Sequence, residues 1–309
     1  MKGEKPRLLV ILGPTAAGKS ALGIRLAREL DAQILSADSL QVYRHFDIGT
    51  AKPTPQDQKR IKHHLLDIVD PDQEFNAGMF RQSAGSVISD LHSRGVNTIV
   101  AGGTYLYVKI LLSGLIEGLP SDPDIRADIK KQSSTLGISH VYGKLSLVDP
   151  EAAEKIHPND YVRIERALEV YYLTGQKISA LHSDHRFEDS EYEYMKIGIT
   201  LDRESLRRRI DGRVDAMIGE GLIDEVCRIR EMGYGTDIKP MQSIGYKQIN
   251  SYLDAEIGQD EAIELIKRDT KRFAKRQMTW LRQDSEIKWY EIPRDENEII
   301  NLAGEFFSS

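Results

Sequence analysis

The segment Gly13-Pro14-Thr15-Ala16-Ala17-Gly18-Lys19-Ser20 stands between the apolar run Leu8 to Leu12 and a helix-like stretch, and that placement constrains the fold more than any other feature. Gly13 and Gly18 let the backbone bend its N–H groups around an anion, and the helix that follows adds its positive N-terminal end. Lys19 supplies a mobile positive charge, and the Ser20 hydroxyl is a candidate Mg²⁺ ligand. The segment reads as a phosphate-binding loop that grips a polyphosphate. It does not specify what else the ligand carries.

Strand and helix signals alternate around this loop. Leu8 to Leu12 reads as a buried parallel strand, Ser20 to Leu30 as a helix, and Gln33 to Ala37 as a second strand ending at Asp38. A helical pattern over Phe80 to Arg94 precedes a strand over Asn97 to Ala101, which runs into Gly102-Gly103-Thr104. Such alternation predicts an α/β fold, a doubly wound parallel sheet with a P-loop and with ligands at the carboxyl ends of its strands. Pro120, Asp122, Pro123 and Asp124 break the pattern, and from Ile125 to about His185 the sequence reads as wholly helical. A core over residues 1–119 and 187–309 with an all-helical insertion over 120–186 is therefore expected. Strand-like Met195 to Thr200 resumes the core, and long helices follow from Arg203.

With 309 residues and 40% apolar content, the chain is able to bury a large core. Only five apolar residues stand between Arg7 and Gly13, too few for a signal peptide or a membrane span, so a cytoplasmic protein with no membrane partner is expected. The single cysteine, Cys227, excludes an internal disulfide and a cysteine-rich zinc site, and its helical setting suits a small buried residue.

The formal net charge of −6 argues against a nucleic-acid partner until its distribution is considered. Asp284 to Ser309 holds seven acidic and two basic residues, whereas Lys267 to Arg282 holds seven basic residues against the single Asp269. On a helix, Arg268, Arg272, Lys275 and Arg282 share one face, and Ile266, Phe273 and Leu281 share another able to pack on a core. The stripe fits either a polyanion contact or a plain solvated face.

A nucleotide hydrolase needs a second acid at a strand end to orient Mg²⁺ and water. Ile99-Val100-Ala101 ends instead in Gly102-Gly103. Asp38 does follow a strand, but Ser39, Leu40, Gln41, Val42 and Tyr43 come after it, a set better suited to a base or sugar than to a bare metal. Asp38 is thus a candidate general base; the competing reading makes it the cap of a following turn.

At this point the chain resembles the tRNA dimethylallyltransferases, also called isopentenyl-diphosphate:tRNA transferases, over nearly its whole length. The matching segments, beyond Gly13 to Ser20, are Asp38 to Arg44, Asp47 to Pro53, His63 to Asp67, Gly102 to Tyr107, Arg163 to Glu169, Gln242 to Tyr246 and Lys275 to Arg282. Val162 departs from the family's usual glutamine, so a tRNA contact by that amide is not expected. The form resembled is the bacterial one, which lacks the zinc-finger extension of some eukaryotic members.

The resemblance implies transfer of a dimethylallyl group from its diphosphate to N6 of the adenosine just 3′ of a tRNA anticodon. Asp38 would be the base and Thr104 would sit near the reacting centre. Gly13, Pro14, Thr15, Ala16, Ala17, Gly18, Lys19 and Ser20, helped by Arg213, would hold the diphosphate, with Mg²⁺ on Ser20. The tRNA anticodon stem-loop would be met by Asp38, Ser39, Leu40, Gln41 and Thr104 at the target base, which must leave its stack. Arg126, Val162, Arg163, Ile164, Glu165 and Arg166 of the insertion would add to the grip, as would Gln242, Ser243, Gly245 and Tyr246. Arg272, Lys275, Arg276, Gln277 and Arg282 complete the expected set, with Trp280 in the core and the protein acting as a monomer.

Other residues invite a bland reading. His182 and His185 have metal-like spacing but no carboxylate or cysteine pattern beside them, and are read as surface histidines. Adjacent His63 and His64 point to opposite faces of a strand, so at most one faces a site. Tyr171 and Tyr172 are read as packing residues. Two rival functions share parts of the pattern: a small-molecule or nucleoside kinase would use the loop and Asp38 but not the basic helix, and a non-catalytic RNA binder would use the basic helix but not Lys19, Ser20 and Asp38.

Overall fold

The computed structural model describes residues 4–114, 119, 121–184 and 190–309. The chain divides into two compact units, residues 1–112 with 191–309, and residues 113–190. In chain order the first unit opens with β1 (Arg7–Leu12), α1 (Lys19–Glu29), β2 (Ala32–Ser36), α2 (Pro55–Arg60), β3 (His63–His64), α3 (Ala77–Ser93), β4 (Asn97–Ala101) and α4 (Tyr105–Ser113). The second unit holds α5 (Pro123–Leu136), α6 (Ile138–Val148), α7 (Pro150–Lys155), α8 (Tyr161–Thr174) and α9 (Ile178–Asp184). The first unit resumes with β5 (Glu193–Thr200), α10 (Arg203–Gly219), α11 (Leu222–Glu231), a 3₁₀ turn (Lys239–Gln242), α12 (Tyr246–Leu253), α13 (Gln259–Leu281), β6 (Lys288–Glu291) and α14 (Glu296–Ser308).

The described strands form one parallel sheet in the order β3-β2-β4-β1-β5-β6. The central β1 is apolar almost throughout because both of its faces are covered. Leu8, Val10 and Leu12 enter one apolar cluster with Leu35 and Val100, while Leu9 and Ile11 enter a second with Ile34, Ile99 and Ile197. Each such fully buried aliphatic side chain is worth about 1.5–3 kcal/mol. The doubly wound α/β core with an all-helical insertion is as the sequence predicts. The short edge strands β3 and β6 are additions to that reading, and β6 falls inside the acidic segment.

Strand register places the site. Ile11 and Ser36 both lie opposite Ala101, so β1, β2 and β4 end at one level and their following loops leave from the same edge of the sheet.

The helical unit packs Ile129, Val141, Leu145, Ile164, Ala167 and Leu168 into its own core. Asp122, Asp149 and Asp160 cap the starts of α5, α7 and α8 with their side chains, and Pro123 and Pro150 occupy first-turn positions where a missing N–H costs nothing. Buried Asp149 also accepts from the Ser179 N–H at 3.0 Å and hydroxyl at 2.6 Å, tying α7 to α9. Pro120, His185 and the side chain of His182 lie outside the described residues. No described helix is long and apolar enough to cross a membrane.

Candidate active site

The phosphate-type loop is bent by residues on the left-handed side of the backbone map, Ala16 at φ 64° and Gly18 at φ 103°, the latter opening α1. Glycine is required at position 13 for a different reason: a Cβ there would stand 2.7 Å from the Ile199 carbonyl oxygen of β5. Lys19 folds back over the loop and donates to the Gly13 and Pro14 carbonyls, each at 2.9 Å. Burial and the neighbouring Arg213 guanidinium lower its pKa to about 8, against the pull of Asp38 in the other direction. The Ser20 hydroxyl is exposed at the head of α1 and lines the adjoining cavities.

Asp38 leaves the end of β2, caps the following turn with one carboxylate oxygen and turns the other toward a cavity. Its Oδ1 accepts from the Leu40 N–H at 2.9 Å and weakly from the Gln41 N–H at 3.4 Å, capping the turn. Its Oδ2 lies beside Gly103, where an added Cβ would meet it at 3.4 Å, and the carboxylate lines a cavity of about 160 Å³. Thr104 stands across the same cavity: its hydroxyl accepts from the Ser39 N–H at 3.0 Å and donates to the Ser39 hydroxyl at 3.2 Å. Arg213 reaches in from α10 and donates to the Thr15 hydroxyl at 3.3 Å, its own pKa lowered by burial and partly restored by Asp38. A wider cavity of about 800 Å³ shares Lys19, Ser20 and Arg213 in its wall.

Several expected contacts are placed differently. Gln41 accepts from the Ser36 hydroxyl at 3.0 Å and donates to the Thr50 and Ala51 carbonyls, both at 3.2 Å, so its amide is engaged within the protein. Gln277 is buried, and its amide accepts from the Thr15 N–H and donates to the Gly103 carbonyl, each at 2.8 Å. Ile164 is 0% exposed in the insertion's core, so its side chain offers nothing to a tRNA. Tyr246 is equally buried, its hydroxyl donating to Glu225 at 2.6 Å. Trp280, expected in the core, is 48% exposed. Phe273 leaves the apolar face of α13 and lines the Asp38 cavity instead, and Cys227 is only half buried. His63 lines that cavity while His64 hydrogen-bonds Gln33 at 2.7 Å, in keeping with opposite faces. Of the tyrosine pair, Tyr172 is exposed.

In the helical unit, Arg126 and Arg166 converge on Glu169, whose side chain is fully buried. Arg126 binds both carboxylate oxygens, at 2.7 and 3.2 Å, and burial's penalty on the charge is outweighed by these bonds, which hold the Glu169 carboxyl below its usual range. Arg163 pairs with Asp160 at 2.5 Å, Glu165 accepts from the Tyr161 hydroxyl at 2.6 Å, and Val162 is exposed. In the first unit, Gln242 donates to the Thr236 carbonyl at 2.6 Å, Ser243 to the Pro240 carbonyl at 2.6 Å, and the Gly245 N–H to Gln248 at 2.9 Å. Arg272 lies 3.6 Å from Asp269, and Lys275, Arg276 and Arg282 have no ion-pair partner among the described residues.

Sequence reasoning missed Arg209 and Glu225. Arg209 sits one turn before Arg213, the spacing that puts both on one face of α10, and donates to the Ala17 carbonyl at 3.3 Å. Glu225 occupies a core-facing position between Leu222 and Ile229, the one signal that could have marked it. Only 1% exposed, it accepts from the Asp47, Ile48 and Gly49 N–H groups at 3.2, 2.7 and 3.2 Å, and so pins the loop over the wider cavity. Lys52, buried in the same loop, is held by Asp47 at 2.6 Å and Asp67 at 2.5 Å.

A glycine-bent loop between the central strand and its helix, with Lys19 and Ser20 facing cavities at the carboxyl edge of a parallel sheet, defines a P-loop α/β protein, here with a helical insertion. Residues 41–284 match the family model described as IPP transferase, and the chain belongs to that family. It is 50% identical over 305 residues to the tRNA dimethylallyltransferase 2 of Geotalea uraniireducens, covering 99% of this chain and 98% of that one. The tRNA dimethylallyltransferase of Geobacter sulfurreducens is 47% identical, with the same coverage. Among solved structures, the tRNA isopentenylpyrophosphate transferase of Bacillus halodurans superposes with a TM-score of 0.73 at 38% identity, covering 98% of this chain and 97% of that chain. A eukaryotic dimethylallyltransferase acting on tRNA gives 0.84 at 28% identity, covering 98% and 79%.

Proposed function

We propose that this protein transfers a dimethylallyl group from dimethylallyl diphosphate to N6 of the adenosine 3′-adjacent to the anticodon in tRNA. The observation that carries this reading is the assembly of Lys19, Arg213, Asp38 and Thr104 around adjoining cavities in a chain of the IPP transferase family. An exocyclic adenine amine is a poor nucleophile, because its lone pair is delocalised into the ring. The reaction therefore needs a base at N6 and stabilisation of the departing diphosphate. In the step proposed, N6 bonds to C1 of the dimethylallyl group as the C1–O bond breaks. The electron pair leaves with the diphosphate, and the N6 proton passes to the Asp38 Oδ2.

Arg213, Lys19 and the loop N–H groups hold the diphosphate. To do so, Lys19 exchanges the carbonyls of its own loop for the leaving group. The exposed Ser20 hydroxyl suits Mg²⁺, which takes one or two protein ligands together with phosphate oxygens and water, and the ion would add positive charge at the leaving group. Thr104 and Ser39, hydrogen-bonded to each other, border the place of the target base. Asp38, Leu40 and the braced Gln41 complete that border.

We assign the tRNA grip to the exposed cations Arg272, Lys275, Arg276 and Arg282, to Gln242 and Ser243, and to the surface of the helical insertion around Val162 and Arg163, with a monomer as the working form. Arg126 and Arg166 act there by shaping that surface through Glu169. Incubation with unmodified tRNA, Mg²⁺ and either dimethylallyl diphosphate or ATP, followed by mass analysis of the nucleosides, tests the reading. Prenylated adenosine with the diphosphate alone supports it; productive use of ATP instead would make the protein a kinase.

A further inference from the structure

A groove of about 660 Å³ lies between α10 and α13, with Pro14 of the phosphate-type loop in its wall. Its lining carries Arg203 and Arg207 from α10 and Lys271, Arg272, Lys275 and Arg282 from α13, with no carboxylate. Lys271 is neutralised by Asp211 at 2.5 Å, and Arg272 lies 3.6 Å from Asp269. Arg203, Arg207, Lys275 and Arg282 have no ion-pair partner among the described residues. Like charges one helical turn apart, such as Arg203 and Arg207, repel one another, and no ion pair among the described residues offsets that repulsion. A contrast stands on the same helix: Arg208, outside the groove, is paired with Glu204 at 2.8 Å.

We infer that this groove is a track for an RNA sugar-phosphate backbone, in which Arg203 and Arg207 add phosphate contacts to those of α13. The inference rests on the tRNA reading above and extends it to a helix that reading did not include. It makes α10 a two-sided element. Arg209 and Arg213 face the loop and its cavity, while Arg203 and Arg207 face the groove, so one rigid helix positions the phosphates of both substrates. A concave strip with the unpaired Arg203, Arg207, Lys275 and Arg282 over an apolar floor that includes Ile210 and Met278 suits a continuous backbone better than a single ion.

The test measures binding of unmodified tRNA across a salt series for the wild type, the double variant Arg203→Ala/Arg207→Ala, the variant Lys275→Ala and the control Arg208→Ala. Each lost phosphate contact makes log K against log[salt] shallower by roughly 0.7–0.9, so the double variant should lose about twice that amount. Arg208→Ala should keep the wild-type slope. An unchanged slope in the double variant overturns the inference, and so does an equal loss in Arg208→Ala, which would reflect overall charge alone. Binding of inorganic pyrophosphate forms a separate arm: weakening in the double variant would make the groove a small-anion pocket and overturn the backbone track. Circular dichroism checks that each variant is folded. The product assay on the wild type separates the two levels, since prenylated tRNA with unaltered slopes removes only the groove.

Discussion

The side-chain oxygen of Gln277 accepts the backbone N–H of Thr15 at 2.8 Å, and this bond ties the longest helix of the described chain to the phosphate-type loop. The other end of the same amide holds the Gly103 carbonyl at 2.8 Å, so one side chain sets the spacing between the loop after β1 and the loop after β4. Removing it leaves two backbone groups to find other partners, and each buried group left unpaired costs about 1–3 kcal/mol. Gln277→Ala is therefore expected to raise the KM for dimethylallyl diphosphate and lower thermal stability, with tRNA affinity unchanged. Loss of tRNA affinity with an unaltered donor KM would instead make Gln277 a direct RNA contact.

Asp38→Asn preserves the Oδ1 acceptor used by the Leu40 N–H but puts an NH2 group, which cannot accept a proton, where Oδ2 would take the N6 proton. A kcat loss of about 10²–10⁴-fold is expected, with tRNA binding close to wild type. Single-turnover kinetics with saturating tRNA measures it, and near-normal turnover would remove Asp38 from the chemistry.

Lys19 provides a pH signature. Its pKa in the free protein is near 8, below the ordinary 10.5, because burial and Arg213 disfavour the charge. A bound diphosphate favours the charge again, so donor binding above about pH 8 takes up a proton, and donor affinity falls as the pH rises through that value. Calorimetry in two buffers of different ionisation enthalpy should show the uptake in the wild type and not in Lys19→Ala; equal uptake in both would assign it elsewhere. Between about 8 and 10.5 the unfolded chain holds the proton that the folded chain has lost, so the Lys19 contribution to stability rises over that interval.

Glu225 and Tyr246 separate the loss of one buried bond from the disturbance of several. Glu225→Gln turns an all-acceptor group into one with a donor facing backbone N–H groups, and losing even one bond to a charged acceptor costs about 1.5–3 kcal/mol. Tyr246→Phe loses one bond to that same charged acceptor, again about 1.5–3 kcal/mol, but leaves the three N–H bonds to Glu225 in place. Urea unfolding should rank Glu225→Gln as the more damaging; the reverse order would mean that the phenol, not the ring of N–H groups, holds the Asp47–Gly49 loop.

The α/β core was legible because β1 is a continuous apolar run joined to a loop whose glycines have one economical explanation. The placement of Asp38 and Thr104 beside one cavity was legible for a related reason, since each lies within three residues of a strand end that the sheet brings to a common level. Helix faces were harder. Phe273 lies two turns after Ile266 and shares its arc, but the apolar face of α13 stops at the core boundary and the cavity beside Asp38 takes over. Trp280 lies one residue before the buried Leu281, and only the packing of α13 decides which of the two turns inward. Arg209 was hidden in a run of three arginines that reads as a solvated face. Ile164 and Tyr246 lie inside motifs that resemble the family's tRNA-contact segments, and there the pattern marks a supporting position as readily as a touching one.

Gly102 meets Ala37 so closely that an added Cβ would lie 2.2 Å from the Ala37 carbonyl oxygen, while the Ala37 N–H donates to Ala101 and the Thr104 N–H to Ala37. The span between the carboxylate at 38 and the hydroxyl at 104 is consequently written in main chain rather than in side chains. Repacking beneath the sheet leaves that span untouched, and side chains at the cavity rim are free to drift without altering it. A saturation library should therefore find position 102 among the least forgiving in the molecule, although its residue bears no functional group.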